Sequence, residues 1–334
     1  MNNRQLLLLT YLLTAALIVA VLTATIVSCA RSRQAANVLR QAKDNPVIQA
    51  AAKISRYQNP GALISIYELK ELVGDPNVVL INTLGSSYEV FAATYQVGHI
   101  PGAAYILNCE YDYPNYYGRI GTPAVIQEVL RRKGVDNQKR IIIYGHEGAG
   151  RFYWMMKMFG STNQIQVLDG DIETWRAAGF PVDTAAPPSQ PTLFTFDLSR
   201  ANMEYIAGLD QVIDAVVNYT PAITILDIRP HEYYLAAHIP QSINIAMEEV
   251  FNKDRTFKSA SELQAIFAAK GVTADKTIYI YGQDGFHSPL IWFVLHELLG
   301  YSNVKIYDGG IIEWREHPLI IECGEQKQII KPNS

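Results

Sequence analysis

Apolar residues are spaced along this chain in three different ways. From residue 6 to residue 27 they run without a charge, a proline or a glycine, interrupted only by threonines and Tyr11. At about 1.5 Å of rise per residue, about 20 such residues span a hydrocarbon core. A core helix of a soluble domain would carry a polar face, and this stretch has none. The expectation is an N-terminal hydrophobic helix, a signal or membrane anchor over residues 1–28. Further on, the apolar runs shorten. Val78-Val79-Leu80-Ile81 is continuous, and residues 222–226 are broken only by Thr224. Both runs are bounded by turn residues, as in strands buried on both faces. The third spacing, apolar positions three and four apart, marks residues 63–73, 153–159, 209–217 and 290–299 as helical. Strands alternating with helices predict an α/β fold, a mainly parallel sheet covered by helices on both sides.

One pattern occurs twice. Gly98-His99-Ile100-Pro101-Gly102-Ala103 returns as Ala237-His238-Ile239-Pro240-Gln241-Ser242, 139 residues later. Ile141-Ile142-Ile143-Tyr144-Gly145 returns as Ile278-Tyr279-Ile280-Tyr281-Gly282 at an offset of 137. Leu168-Asp169-Gly170 with Trp175 returns as Tyr307-Asp308-Gly309 with Trp314 at 139. Three matches at nearly one offset indicate a duplicated domain. The proline-rich stretch 185–191 reads as the joint between copies. The expected order is an anchor (1–28), a helical juxtamembrane spacer (29–60), domain 1 (61–184), a linker (185–194), domain 2 (195–322) and a tail (323–334). Within the spacer, residues 34–43 favour helix, Asn45-Pro46 interrupts it, a second short helix is allowed, and Asn59-Pro60-Gly61 ends it.

Composition narrows the partners. At 334 residues and 49% apolar, the chain can bury one large core or two ordinary ones. A net charge of −4, without a Lys/Arg run, gives no electrostatic reason to bind nucleic acid. No zinc-like Cys/His spacing occurs, and no metal or cofactor is expected. Cys29, Cys109 and Cys323 are too few for a disulfide framework, although the sequence allows a Cys109–Cys323 bridge. The apolar run ends in Ile26-Val27-Ser28-Cys29, which resembles a bacterial lipobox, with Cys29 as the lipidation site and the domains outside the cytoplasm. The alternative is an uncleaved single-pass anchor. Arg31, Arg33, Arg40 and Lys43 follow the run, which would place the domains in the cytoplasm. The cysteine favours the lipoprotein narrowly. Under either reading the membrane is a partner.

Taken together, the repeated motifs resemble the two-domain rhodanese (thiosulfate sulfurtransferase) family across nearly all of residues 62–320. The resemblance implies two tandem rhodanese-like domains. It rests on Leu226-Asp227-Ile228-Arg229, the Gly98–Ala103 turn, a strand ending in tyrosine before a tight loop, and the Asp-Gly segments followed by tryptophan. Asn82 replaces the aspartate in domain 1, and Ala237 and Gln241 replace glycines in domain 2.

In that family the first loop position is a cysteine that carries the sulfur as a persulfide, cradled by backbone N–H groups at a helix N-terminus. The loops here read Gly145-His146-Glu147-Gly148-Ala149-Gly150-Arg151 and Gly282-Gln283-Asp284-Gly285-Phe286-His287-Ser288, with glycine at that position in both. Ser288 at the helix entry reads as a cap, and His146 and His287 lack a nucleophile to serve. The two stretches stand as candidate anion cradles, opposed by Glu147 and Asp284. Asp227 and Arg229 read as a structural pair, and Trp154, Trp175, Trp292 and Trp314 as packing residues. The tyrosine-rich segment Tyr111-Asp112-Tyr113-Pro114-Asn115-Tyr116-Tyr117 fits either a recognition surface or packing between domains.

No catalytic residue is assigned. The expected function is a catalytically silent, membrane-anchored binding, scaffold or accessory module, with a protein partner in a membrane complex. The alternative is sulfurtransferase-type or small-anion chemistry through a non-standard group, for which Cys109 and Cys323 are the remaining thiols.

Overall fold

A computed structural model describes residues 44–83, 88–114, 116–317, 321–324 and 328–330. The hydrophobic segment 6–27, Cys29 and the helix expected at 34–43 lie outside the described residues. The chain divides into a unit of residues 1–52 and a unit of residues 53–334. The helix Pro46–Ile54 starts at the expected interruption, where Asn45 Oδ1 accepts from Val47 N at 2.9 Å. Among the described residues no helix is long and apolar enough to cross a membrane.

Residues 53–334 hold two five-stranded parallel sheets with the same strand order. The strands of the first half are β1 (Leu63–Ser65), β2 (Val78–Asn82), β3 (Ala104–Tyr105), β4 (Asp112–Tyr113), β5 (Tyr116–Ile120), β6 (Arg140–Tyr144) and β7 (Ile165–Asp169). Those of the second are β8 (Ile206–Ala207), β9 (Ile223–Asp227), β10 (Ile243–Asn244), β11 (Thr277–Tyr281) and β12 (Val304–Tyr307), followed by the hairpin β13 (Ile321–Cys323) and β14 (Gln328–Ile330). The sheets run β1-β7-β6-β2-β3 and β8-β12-β11-β9-β10. Ile81 faces Ile143 in one and Leu226 faces Ile280 in the other. The central strands have mainly apolar, buried interiors because helices cover both faces.

Two helical expectations change. Residues 63–73 divide into strand β1 and the helix Ile66–Leu72, and Ser65 Oγ accepts from Glu68 N at 3.1 Å at the junction. Three apolar or small residues ahead of an amphipathic helix merge with its period, so the strand was not visible as one. Residues 290–299 begin inside the helix Ser288–Trp292 and then widen into a looser turn, in which Leu299 N donates to Val294 O at 3.0 Å.

The core has three parts. One face of the first sheet packs Ile64, Leu80 and Ile142 against Trp175, and the corresponding face of the second packs Ile225 and Tyr307 against Trp314. The third and largest part is common to both halves and contains Trp154 and Trp292. It forms where the helices Glu147–Met158 and Ser288–Trp292 meet, and a Cβ on Gly150 would lie 2.5 Å from Leu290 Cα. Glycine permits that approach.

The halves also exchange backbone contacts at matching positions. Asp169, at the end of β7, accepts from Phe257 N at 2.9 Å and pairs with Lys53 at 2.5 Å. Asp308, just past β12, accepts from Ile120 N at 2.9 Å. Thr174 Oγ1 donates to Asp254 O at 2.6 Å, and Arg119 pairs with Glu313. Each half thus inserts a hairpin (β4–β5, or residues 251–257) against the other.

Candidate functional site

The two strands that end in tyrosine lead to different structures. After β11 the chain makes an open loop, Gly282–His287, before the helix begins at Ser288. Asp284 Oδ1 accepts from Phe286 N at 2.9 Å and holds the turn. The carbonyls of Gly282 and Gln283 accept from Ile311 and Ile312 at 3.1 and 3.2 Å, which anchors the loop to the helix Gly310–Glu316. The capping role expected for Ser288 is not what the structure shows. Ser288 is the first helical residue, and its buried Oγ has no hydrogen-bond partner among the described residues.

After β6 there is no comparable loop. Helix starts at Glu147, so Gly148, Ala149, Gly150 and Arg151 are helical and form no cradle. The turn into it takes two consecutive residues of positive φ, Gly145 at 120° and His146 at 48°. Gly145 O already accepts from Gly148 N at 3.1 Å, and His146 O accepts from Ala149 N at 3.0 Å. Those N–H groups serve the helix. Of the two candidate stretches, only the one in domain 2 is an open loop; the one in domain 1 is helical from Glu147.

Each stretch faces residues of the other half. His146 Nε2 contacts Asp171 and lies 3.3 Å from Arg255 Nε. Burial opposes the Asp171 carboxylate, but His146 and the backbone N–H groups of Glu173 and Thr174 outweigh it and hold its pKa below the usual range. Arg255, at φ 66°, stands 137 residues after Gly118, at φ 79°. The second loop packs on the β4–β5 hairpin and on Arg151, which is fully buried. Arg151 donates to Gly118 O at 2.7 Å and to Asp112 at 2.8 Å, and its guanidinium lies 5.7 Å from the ring centre of Tyr111 and 5.9 Å from that of Phe286. Burial pushes Asp112 up to about 6 despite Arg151, and pushes Asp308 upward as well. Tyr111 is buried in the core cluster shared by both halves, against Phe152 and Arg151 of its own half, while Tyr113 is exposed. Asn115 and the side chains of Tyr116 and Tyr117 lie outside the described residues.

A cavity of about 920 Å³ opens beside the second loop. Gln283 and His287 line it from the loop, Ile228 and Arg229 from the end of β9, and Glu147 from the other half. Gly282 lies next to this wall, since a Cβ there would be 3.5 Å from Ile228 Cδ1 and 3.3 Å from Asp284 O. Arg229 is buried and turned to Asp227, with Nε donating at 3.0 Å and Nη2 at 2.6 Å, and Nη2 also reaches Ala237 O at 2.8 Å. Residues 231–236 and 246–248, which flank the repeated turn 237–242 and supply His231, Glu232, Tyr233, Met247 and Glu248 to the cavity, carry no motif, so nothing in the sequence marks their part. Asp308 belongs to a repeated motif, but nothing in the repeat marks it as a contact between domains.

Cys109 and Cys323 are free thiols, so the bridge allowed by the sequence is not formed. Burial, followed by Glu110 and Asp112, pushes the Cys109 thiol up, which disfavours the nucleophilic thiolate. Neither cysteine lies in either loop.

Comparison with known proteins gives the class. The sequence matches the Rhodanese-like domain family twice, over residues 65–178 and 211–317, and the chain belongs to that family. It is 29% identical to the sulfur carrier protein TtuD of Thermus thermophilus, over 77% of this chain and 95% of that protein. It is 30% identical to a putative thiosulfate sulfurtransferase of Saccharopolyspora erythraea, over 68% and 84% respectively. Among solved structures, the 3-mercaptopyruvate sulfotransferase SseA from Escherichia coli superposes with a TM-score of 0.65 at 25% identity, covering 75% of this chain and 98% of that one. An anaerobic ergothioneine biosynthesis enzyme from Chlorobium limicola gives 0.68 at 21% identity, covering 79% and 70%, and shares the fold.

Proposed function

We propose that this chain binds a small sulfur-bearing compound in the second-domain cleft and holds it without a covalent persulfide. The observation that carries the reading is Gly282. It begins an open loop of the kind that cradles sulfur, beside a formed cavity, and offers no side chain. A persulfide requires a thiolate to attack a sulfane sulfur, and no cysteine stands in this loop or at Gly145. Recognition through Gln283, His287 and the cleft walls requires no thiol. The relatives are named sulfurtransferases and a sulfur carrier, which favours ligand handling over the silent scaffold expected from the two glycines alone. The apolar run at 6–27, or lipid on Cys29, would hold the domains at a membrane; the support is the uncharged sequence itself.

The test is direct. The purified chain, incubated with thiosulfate and cyanide, should form thiocyanate at the uncatalysed rate. Its intact mass after thiosulfate should gain no sulfur, about 32 Da, while calorimetry should register binding of a small sulfur compound. Turnover, or added sulfur on Cys109 or Cys323, would replace the non-covalent reading with a catalytic one. Failure of every sulfur compound to bind would leave the scaffold.

A further inference from the structure

The walls of the second-domain cleft carry a charge that does not suit an inorganic sulfur dianion. Two arginines line the cavity, Arg229 and Arg315. Arg229 is buried, and its charge is matched by Asp227, which takes both Nε and Nη2. Arg315 is exposed and remains for an anionic group. Against it stand three carboxylates, Glu147, Glu232 and Glu248. Glu248 pairs with Arg255, but Glu147 and Glu232 make no ion pair among the described residues. Among the arginines and carboxylates of the lining, the unmatched charge is one cation against two anions. The volume, about 920 Å³, also exceeds what a four- or five-atom inorganic ion fills, and Ile228, Met247 and Tyr233 give it an apolar and aromatic wall.

Resting on the reading of the cleft as a sulfur-compound site, we infer that its ligand is an organic sulfur compound bearing a protonated amine, recognised by Glu147 and Glu232. A dianion such as thiosulfate would share the cavity with two carboxylates that have no ion pair among the described residues, which disfavours it. An ammonium group is attracted by the same carboxylates and by the ring face of Tyr233, while a thioether or thiol packs on Ile228 and Met247. Glu147 comes from domain 1, so the first domain contributes to selecting the ligand of the second.

Four probes test this on the full chain by calorimetry at fixed ionic strength: 2-(methylthio)ethylamine, 3-(methylthio)propionate, thiosulfate and n-butylamine. None has a free thiol that could oxidise onto Cys109 or Cys323, and intact mass after the thiosulfate titration checks that no sulfur has been added. The methylthio amine should bind more tightly than either anion. Glu147→Gln and Glu232→Gln should each weaken it by up to about fivefold. The same changes should leave anion binding unchanged or tighter, with unaltered melting as the check on folding. If the propionate or thiosulfate binds more tightly than the amine, the charge inference is overturned while the sulfur reading stands. If n-butylamine binds as well as its sulfur counterpart, the charge inference stands and the sulfur reading fails. If none binds, both fail.

Discussion

Replacing Gly282 and Gly145 by cysteine, one at a time, asks whether each half of the chain still holds a place for a nucleophile. Gly145 has a φ of 120°, where an L-residue is strained by about 1–3 kcal/mol. Gly282 has no positive φ, and a Cβ there would lie 3.3 Å from Asp284 O and 3.5 Å from Ile228 Cδ1. A shift of a few tenths of an ångström relieves that contact. The loss of glycine's unfolded-state freedom offsets part of the cost, by about 0.4–1 kcal/mol. Gly282→Cys should therefore change unfolding stability by less than about 1 kcal/mol, and Gly145→Cys should lower it by about 1–3 kcal/mol, both read from urea unfolding curves. The new thiol at 282 faces opposing influences. Loop N–H groups and the start of the helix at Ser288 favour thiolate, whereas Asp284 O, the Asp284 carboxylate and buried Asp308 oppose it. The rate of alkylation against pH should give a thiol pKa below the free value of about 8.5, and thiosulfate should then add one sulfur. A value at or above the free one, or a Gly145 variant as stable as the Gly282 variant, would refute the claim that only the second loop remains a cradle.

Trp175→Ala and Trp314→Ala should each cost about 3–5 kcal/mol. The two losses should add in the double variant, because the tryptophans belong to separate core clusters; melting unlike the sum would refute that separation. Arg151→Leu should lower stability at pH 7 by about 3–5 kcal/mol, since Asp112 and Asp308 lose their cation while buried. Asp112 already has a raised pKa, about 6, so its carboxylate opposes folding above that pH, and the opposition fades as pH falls through 6 toward 4. Without Arg151 the fall in stability with rising pH should steepen, and denaturation curves at pH 5 and pH 7 that shift equally would contradict this. Cys29→Ser should leave the precursor unprocessed, larger by residues 1–28, if Cys29 is lipidated. An intact N-terminus on the wild-type protein from membranes would instead establish the uncleaved anchor.

Much of the fold was legible because its signals are local and repeated. Val78-Val79-Leu80-Ile81 and residues 223–226 lie in β-strands, as short apolar runs bounded by turn residues do in a sheet covered on both faces. The short strands β1 and β8, of three and two residues, were not legible, because a strand that short has no period to read. At the site, repetition misled. The stretches after Tyr144 and Tyr281 align, yet Gly145 and His146 turn the first directly into helix, a choice made by backbone dihedrals and by small residues at 148–150 that let the helices close up. The cleft was least legible, since Glu147, Tyr233, Met247 and Arg315 are brought together by tertiary packing and share no spacing.

The pairing of the halves explains how a first domain can lack an open loop and still matter to the second. Asp169 and Asp308 occupy equivalent strand ends, and each accepts a backbone N–H from the other half's hairpin. Because the hairpins approach from the opposite half, the residues around each loop are contributed in trans between domains. His146 meets Arg255 in one direction, and Phe286 meets Arg151 in the other. The first domain is thus the floor of the second loop through Arg151 and the hairpin carrying Gly118, and a wall of the second cleft through Glu147. The lack of an open loop after β6 is compatible with both contributions, since Arg151 and Glu147 belong to the helix that starts there. The cleft is accordingly lined by both halves, and under the proposed reading the domain that holds no open loop helps to set its selectivity.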